Sequence, residues 1–235
     1  MSGINTAIVL AGGLGTRLRH LVSDLPKPMA PVAGKPFLEF VLTYLIRQGF
    51  KKAILSVGYK HESINMHFGA SFGSLQLEYV VEAFPLGTGG GIKKCLQHCP
   101  GNEDVLIVNG DTYFPVDIAE MYKLHLHKHA NLTIALKELT NCDRYGTVEL
   151  NKYQQIISFR DKSLRINSLI NGGLYICNTQ LIKLLPEQEV FSFETDFLNQ
   201  STPEKQIFGY VDKGYFIDIG VPDDYHRAQT ELAIY

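Results

Sequence analysis

The sequence predicts an α/β protein built on a mostly parallel mixed sheet flanked by helices. Three observations carry this expectation: short continuous apolar runs rich in strand formers, helical stripes of about ten to fifteen residues between them, and Gly-Gly or Gly-Asp turns where the runs end.

The first run, Thr6-Ala7-Ile8-Val9-Leu10-Ala11, closes at Gly12-Gly13, as a strand covered on both faces does. A helical pattern over Pro36 to Gln48 puts Phe37, Phe40, Val41, Tyr44 and Leu45 on one stripe and stops at Gly49. Ala53 to Val57 is the second buried strand. The alternation continues with a helix near Glu62 to Phe68, a strand Leu75 to Val81, a helix from Gly90 to Gln97, and a strand Val105 to Val108 closed by Asn109-Gly110-Asp111. Repeated units of this kind form right-handed βαβ crossovers, whose ligand crevice lies at the carboxyl ends of the strands. Gly12-Gly13 and Gly110-Asp111 both stand at such ends and should face one cleft.

After a helix over Asp117 to His129 the pattern changes. Strands follow at Leu132 to Lys137, Gly146 to Leu150, Ile156 to Arg160, Ile170 to Cys177 and Gln206 to Tyr210, with a terminal helix opening at Pro222-Asp223-Asp224. These added strands should wall one side of the cleft. No Pro/Ser-rich linker divides the chain, so residues 1–235 are expected to form one domain.

Composition narrows the function. A chain of 235 residues with 45% hydrophobic and 20% charged residues can bury a full core. The formal charge of −2, with no Lys/Arg stripe, makes nucleic acid an unexpected partner. No apolar window of about 18 residues and no secretory pattern is seen, so no membrane association and a cytoplasmic location are expected. Cys95, Cys99, Cys142 and Cys177 lack metal-ligand spacing and read as reduced thiols. His125, His127 and His129 lie on a predicted helix, where residues two apart do not share a face, which argues against a metal cluster.

The chemistry concentrates in Leu10-Ala11-Gly12-Gly13-Leu14-Gly15-Thr16-Arg17-Leu18, followed by Leu25-Pro26-Lys27-Pro28-Met29. Glycines after a buried strand let backbone N–H groups approach phosphate oxygens, while Arg17 and Lys27 supply positive charge. A Walker A loop is not present, and Leu18 stands where a dinucleotide fingerprint has its third glycine, which weakens a nicotinamide-dependent oxidoreductase. Asp111 and Asp218 each end a strand-like run, and two carboxylates in one cleft suit Mg²⁺; a turn or cap role for either aspartate is the alternative. Glu82 precedes a second glycine-rich stretch, Gly87-Thr88-Gly89-Gly90-Gly91. A carboxylate can accept from two adjacent N–H groups of a ligand; a strand-end glutamate facing solvent is the other reading.

The glycine-rich loop, its arginine and the Lys-Pro pair together resemble the signature of the sugar nucleotidyltransferases, and the resemblance runs over essentially the whole chain. It implies a Rossmann-like, glycosyltransferase-A-like nucleotidyltransferase fold, with a nucleotide-binding part over about residues 1–115 and a sugar-phosphate-binding part over about 116–235. It implies that Leu10, Ala11, Gly12, Gly13, Gly15, Thr16, Arg17, Lys27, Glu82, Gly87, Thr88, Asn109, Gly110 and Asp111 bind the nucleoside triphosphate, and that Asp111 and Asp218 hold Mg²⁺. Gly146, Lys162, Asn171, Gly172 and Glu194 are implied at the sugar phosphate, and Arg17, Lys27, Asp111 and Lys162 as the catalytic set. Where the family has glutamate before this lysine, Asp161 stands here, which puts a direct sugar contact from residue 161 in doubt; without the resemblance, Lys162 reads as a solvated surface lysine.

Within the family, the compact length is similar to that of members that join guanylate to D-glycero-α-D-manno-heptose 1-phosphate, which implies GTP and that sugar phosphate as substrates and a product destined for cell-surface polysaccharide. Mannose 1-phosphate with GTP, or N-acetylmuramate 1-phosphate with UTP, is the alternative pair. A non-catalytic nucleotide- or sugar-phosphate-binding regulator is the competing class, and the retained lysines and aspartates argue against it. Monomer and homodimer both stay open.

Overall fold

The computed structural model describes residues 3–13, 25–99, 101–141, 144–160, 166–200 and 205–234. In chain order the elements are β1 (Thr6–Leu10), β2 (Pro31–Val32), β3 (Lys35–Pro36), α1 (Phe37–Arg47), β4 (Lys52–Val57), α2 (His61–Phe68), β5 (Ser71–Phe72), β6 (Leu75–Val81) and α3 (Gly87–Leu96). They continue with β7 (Asp104–Asn109), β8 (Thr112–Tyr113), α4 (Ile118–His127), β9 (Leu132–Asn141), β10 (Thr147–Leu150), β11 (Ile156–Arg160), β12 (Ile166–Asn178), β13 (Ile207–Asp212), β14 (Ile217–Asp218) and α5 (Pro222–Glu231).

The main sheet runs β11-β10-β12-β7-β1-β4-β6-β5, with β9 beside β12 and β13 beside β9. Its centre, β7-β1-β4-β6, is parallel, as the alternating pattern predicts. The later strands join antiparallel through β12, which pairs with β7, β9 and β10. Side chains alternate across the sheet and divide the core in two. Ala7 and Val9 of β1 belong to one cluster with α1, whereas Ile8 belongs to the other with Ile92 and Leu96 of α3. Each large apolar side chain so buried contributes roughly 1.5–3 kcal/mol.

Helix α1 buries Phe37, Leu38, Phe40, Val41, Leu42, Tyr44 and Leu45. It stops where expected: Gly49 takes φ +88°, its N–H bonds the Ile46 carbonyl, and Phe50 N–H bonds Leu45. That double bond is a Schellman closure, with Phe50 buried as its apolar partner. Helix α4 is shorter than the sequence suggests, beginning after Asp117, whose carboxylate accepts from Ala119 and Glu120 N–H, and ending at His127. Helix α3 starts three residues earlier than expected because the Phe191 carbonyl accepts the N–H groups of Gly89 and Gly90. Strands β9 and β12 are longer than their apolar runs, since they pair with each other as far as Asn141 and Ile166. Among the described residues no helix is long and apolar enough to cross a membrane.

Candidate active site

The carboxyl ends of β1, β6 and β7 open on two adjoining cavities. One, of about 430 Å³, is lined by Leu10, Gly12, Gly13, Lys27, Glu82, Gly87, Thr88 and Asp111. The other, of about 390 Å³, is lined by Gly146, Thr147, Asn171, Gly173, Glu194 and Asp218. Asn109, the last residue of β7, lines both and stands at their junction.

Lys27 is set by its prolines. The segment Lys27–Met29 is a single 3-10 turn that follows Pro26 and buries Pro28 and Met29 as anchors. Its ammonium bonds Asp111 Oδ2 at 2.5 Å and lies 3.5 Å from Asp218 Oδ1. The aspartates meet because β8 and β14, two residues each, pair antiparallel with Asp218 opposite Thr112, and Ile219 N–H bonds the Asp111 carbonyl. Burial raises the Asp218 pKa, the charge of Asp111 raises it further, and Lys27 opposes both. Asp218 Oδ1 is buried without a hydrogen bond. Two carboxylates around one ammonium leave a negative, oxygen-only donor set with an unsatisfied atom, a chemistry that fits a hard divalent cation.

Glu82 ends just past β6 and is half-buried rather than turned to solvent. Ser56 Oγ donates to its Oε1 at 2.7 Å, and Leu86 N–H donates to its Oε2 at 3.2 Å. The following glycines pack under the segment before Phe193: a Cβ at Gly89 would lie 2.1 Å from the Phe191 ring, and one at Gly90 2.3 Å from the Glu189 carbonyl. Lys93 holds this strap by donating to the carbonyls of Pro186 and Glu187 at 2.7 and 2.8 Å.

In the second cavity Asn171 Oδ1 accepts Gly173 N–H, while its Nδ2 donates to the Tyr175 hydroxyl at 2.8 Å. Tyr175 is fully buried and its hydroxyl is also bonded to Glu194; burial first, and the Glu194 charge second, keep it protonated. Glu194 sits in the first turn of a π-helix, Phe193–Leu198, capped by Ser192 Oγ on Thr195 N–H.

The expected residues therefore divide. Leu10, Gly12, Gly13, Lys27, Glu82, Gly87, Thr88, Asn109 and Asp111 line the first cavity, and Gly146, Asn171, Glu194 and Asp218 the second. Ala11 and Gly110 lie behind the wall, Ala11 N–H bonding Ser56 O and Gly110 N–H bonding Leu10 O. Gly172 packs against Phe114 and Ala135, and its neighbour Gly173 lines the cavity in its place. Gly15, Thr16, Arg17, Asp161 and Lys162 lie outside the described residues, as does Cys142. Ser56, Thr147, Thr195 and Tyr175 carried no individual role in the sequence reading. Ser56 had a signal, a hydroxyl interrupting the apolar strand Ala53-Ile54-Leu55-Ser56-Val57.

Comparison with known proteins follows the same outline. A model described as Nucleotidyl transferase matches residues 6–234. The chain is 47% identical over 229 residues to a D-glycero-alpha-D-manno-heptose 1-phosphate guanylyltransferase of Aneurinibacillus thermoaerophilus, covering 97% of this chain and 99% of that one. It is 43% identical over 221 residues to the protein of that description from Campylobacter jejuni subsp. jejuni serotype O:2, covering 94% and 97%. The crystal structure of HddC from Yersinia pseudotuberculosis complexed with GMP-PN superposes with a TM-score of 0.86 at 34% identity, covering 97% of this chain and all of that one.

Proposed function

The chain belongs to the nucleotidyl transferase family, and on that premise we propose that it transfers guanylate from GTP to D-glycero-α-D-manno-heptose 1-phosphate, releasing pyrophosphate. The observation that carries this reading is Asp111 and Asp218 meeting at Lys27 where the two cavities join at Asn109. Residues 1–235 act as one nucleotidyltransferase domain, with GTP in the cavity of Gly12, Gly13 and Thr88 and the sugar phosphate in that of Gly146, Asn171 and Glu194. The substrates place the reaction in the cytoplasm, and the product feeds cell-surface polysaccharide.

An oxygen of the sugar phosphate attacks the α-phosphorus, the bond to the β-phosphate breaks, and pyrophosphate leaves with the electron pair. The attacking phosphate is already ionised at neutral pH, so no general base is required; the barrier is repulsion between anions and charge growing on the leaving group. Lys27 supplies a fixed positive charge beside the reacting phosphates, and Arg17 and Lys162 are assigned to the triphosphate and the sugar phosphate. Asp111 and Asp218 are the residues that would hold Mg²⁺, which would supply neutralisation of phosphate charge. Glu82 accepts guanine N1–H and N2–H, and the Asn171-Tyr175-Glu194 chain presents the sugar with fixed polar groups.

The test is pyrophosphate release with Mg²⁺, each common nucleoside triphosphate being paired with manno-heptose, mannose, glucose and N-acetylmuramate 1-phosphates. Release confined to GTP with the heptose phosphate supports the reading. Release with another pair keeps the mechanism and replaces the substrate, while silence with every pair favours a binding protein without catalysis.

A further inference from the structure

Ser56 lies near the carboxyl end of the central parallel strand β4, opposite Leu10 of β1 and Val80 of β6, and is 1% exposed. A hydroxyl buried there is costly unless it is bonded. Its bond goes to a carboxylate rather than to the sheet: Oγ donates to Glu82 Oε1 at 2.7 Å. The two residues are enclosed by glycines. A Cβ at Gly12 would lie 2.7 Å from Glu82 Oε1, and one at Gly91 would lie 2.9 Å from Ser56 Oγ and 3.1 Å from Glu82 Oε1. Side chains are excluded on both sides, so the carboxylate stays in reach of the cavity while Ser56 grips it from behind.

The bonding pattern has a consequence for base choice. An ionised carboxylate has about four acceptor sites, two on each oxygen. Among the described residues Ser56 takes one on Oε1 and Leu86 N–H one on Oε2, which leaves one on each oxygen. A pair of parallel acceptor sites matches two adjacent N–H donors, which guanine presents and adenine, uracil and hypoxanthine do not.

We infer that Ser56 is a positioning residue for base selection, its hydroxyl fixing Glu82 in the attitude that accepts both N–H groups of guanine. This rests on the reading of Glu82 as the acceptor of the base. Ser56 touches no substrate; it acts through Glu82.

The experiment compares kcat/KM for GTP and for inosine triphosphate, which lacks the 2-amino group, with manno-heptose 1-phosphate as the common acceptor. The parent, Ser56→Ala, Ser56→Thr and Glu82→Gln are measured together with the KM for the sugar phosphate. The expected result is a preference for GTP that falls roughly tenfold in Ser56→Ala, the scale of one bond to a charged group, and is restored in Ser56→Thr, which keeps the hydroxyl. The loss should appear in the KM for GTP and leave that for the sugar phosphate in place, a split that general loosening of the fold would not produce. If Glu82→Gln loses the preference and Ser56→Ala keeps it, or Ser56→Thr behaves like Ser56→Ala, the role of Ser56 is overturned and that of Glu82 stands. If Glu82→Gln keeps the preference, or the parent has none, the reading of Glu82 fails and takes this inference with it.

Discussion

The hydroxyl of Thr88 donates to Glu194 Oε2 at 2.8 Å while accepting the N–H of Phe193 at 2.9 Å. A residue lining the cavity proposed for the nucleotide thus holds a carboxylate lining the cavity proposed for the sugar phosphate. Thr88→Val keeps the shape and removes both bonds. It is expected to lower kcat/KM for the sugar phosphate about tenfold, or roughly 1.4 kcal/mol, because the bond is charge-assisted but exposed to solvent. Thr88→Ser should restore it. Unchanged kinetics in Thr88→Val would separate the two cavities.

Lys27→Ala leaves Asp111 and Asp218 facing each other without the ammonium between them. Loss of one preorganised charge donor costs roughly 2–4 kcal/mol of transition-state stabilisation, so kcat/KM should fall by about 30-fold to 10³-fold with the fold intact. Circular dichroism checks the fold, and a variant with full kcat/KM sinks the role given to Lys27.

Removing divalent cations with a chelator should silence pyrophosphate release, and Mg²⁺ should restore it. Asp111→Asn replaces a charged oxygen ligand with a neutral amide, a poorer partner for a hard cation. The Mg²⁺ concentration giving half-maximal rate is expected to rise at least about tenfold, or activity to vanish. A titration curve that overlays the parent's would contradict the assignment of the metal to these aspartates.

Much of this architecture was legible in the sequence because strands covered on both faces are apolar at nearly every position, Ser56 being the exception between Ala53 and Val57. Ala53 to Val57 and Val105 to Val108 announce themselves this way, and the Gly-Gly and Gly-Asp turns mark their carboxyl ends. Lys27 was legible through its flanking prolines. The contact that matters most was not: β8 and β14 are two residues long, too short for any periodicity, yet their pairing is what carries Asp218 to Asp111. The strap from Pro186 to Phe191 was equally silent. Its grip on Gly89, Gly90 and Lys93 depends on residues about a hundred positions apart, and no local pattern records such a meeting. Tyr175 carried no role of its own in the sequence because its hydroxyl gains meaning only between Asn171 and Glu194.

His125 gives a prediction about stability rather than catalysis. The ring is 3% exposed, and Nδ1 lies 2.9 Å from Thr133 Oγ1. Burial lowers its pKa below the ordinary value of 6.5, and the charge of Asp104 opposes this only in part. The unfolded chain therefore takes up a proton at a pH where the native imidazole is still neutral. The stability tied to the neutral ring is present above about pH 6.5 and is lost as pH falls from there through the lower native pKa. His125→Gln removes the titrating group, so its stability deficit against the parent, measured by urea unfolding, should be largest near pH 8 and shrink towards pH 5. A deficit that stays constant would mean that folding leaves the His125 pKa unmoved, and one that grows as the pH falls would mean that folding raises it.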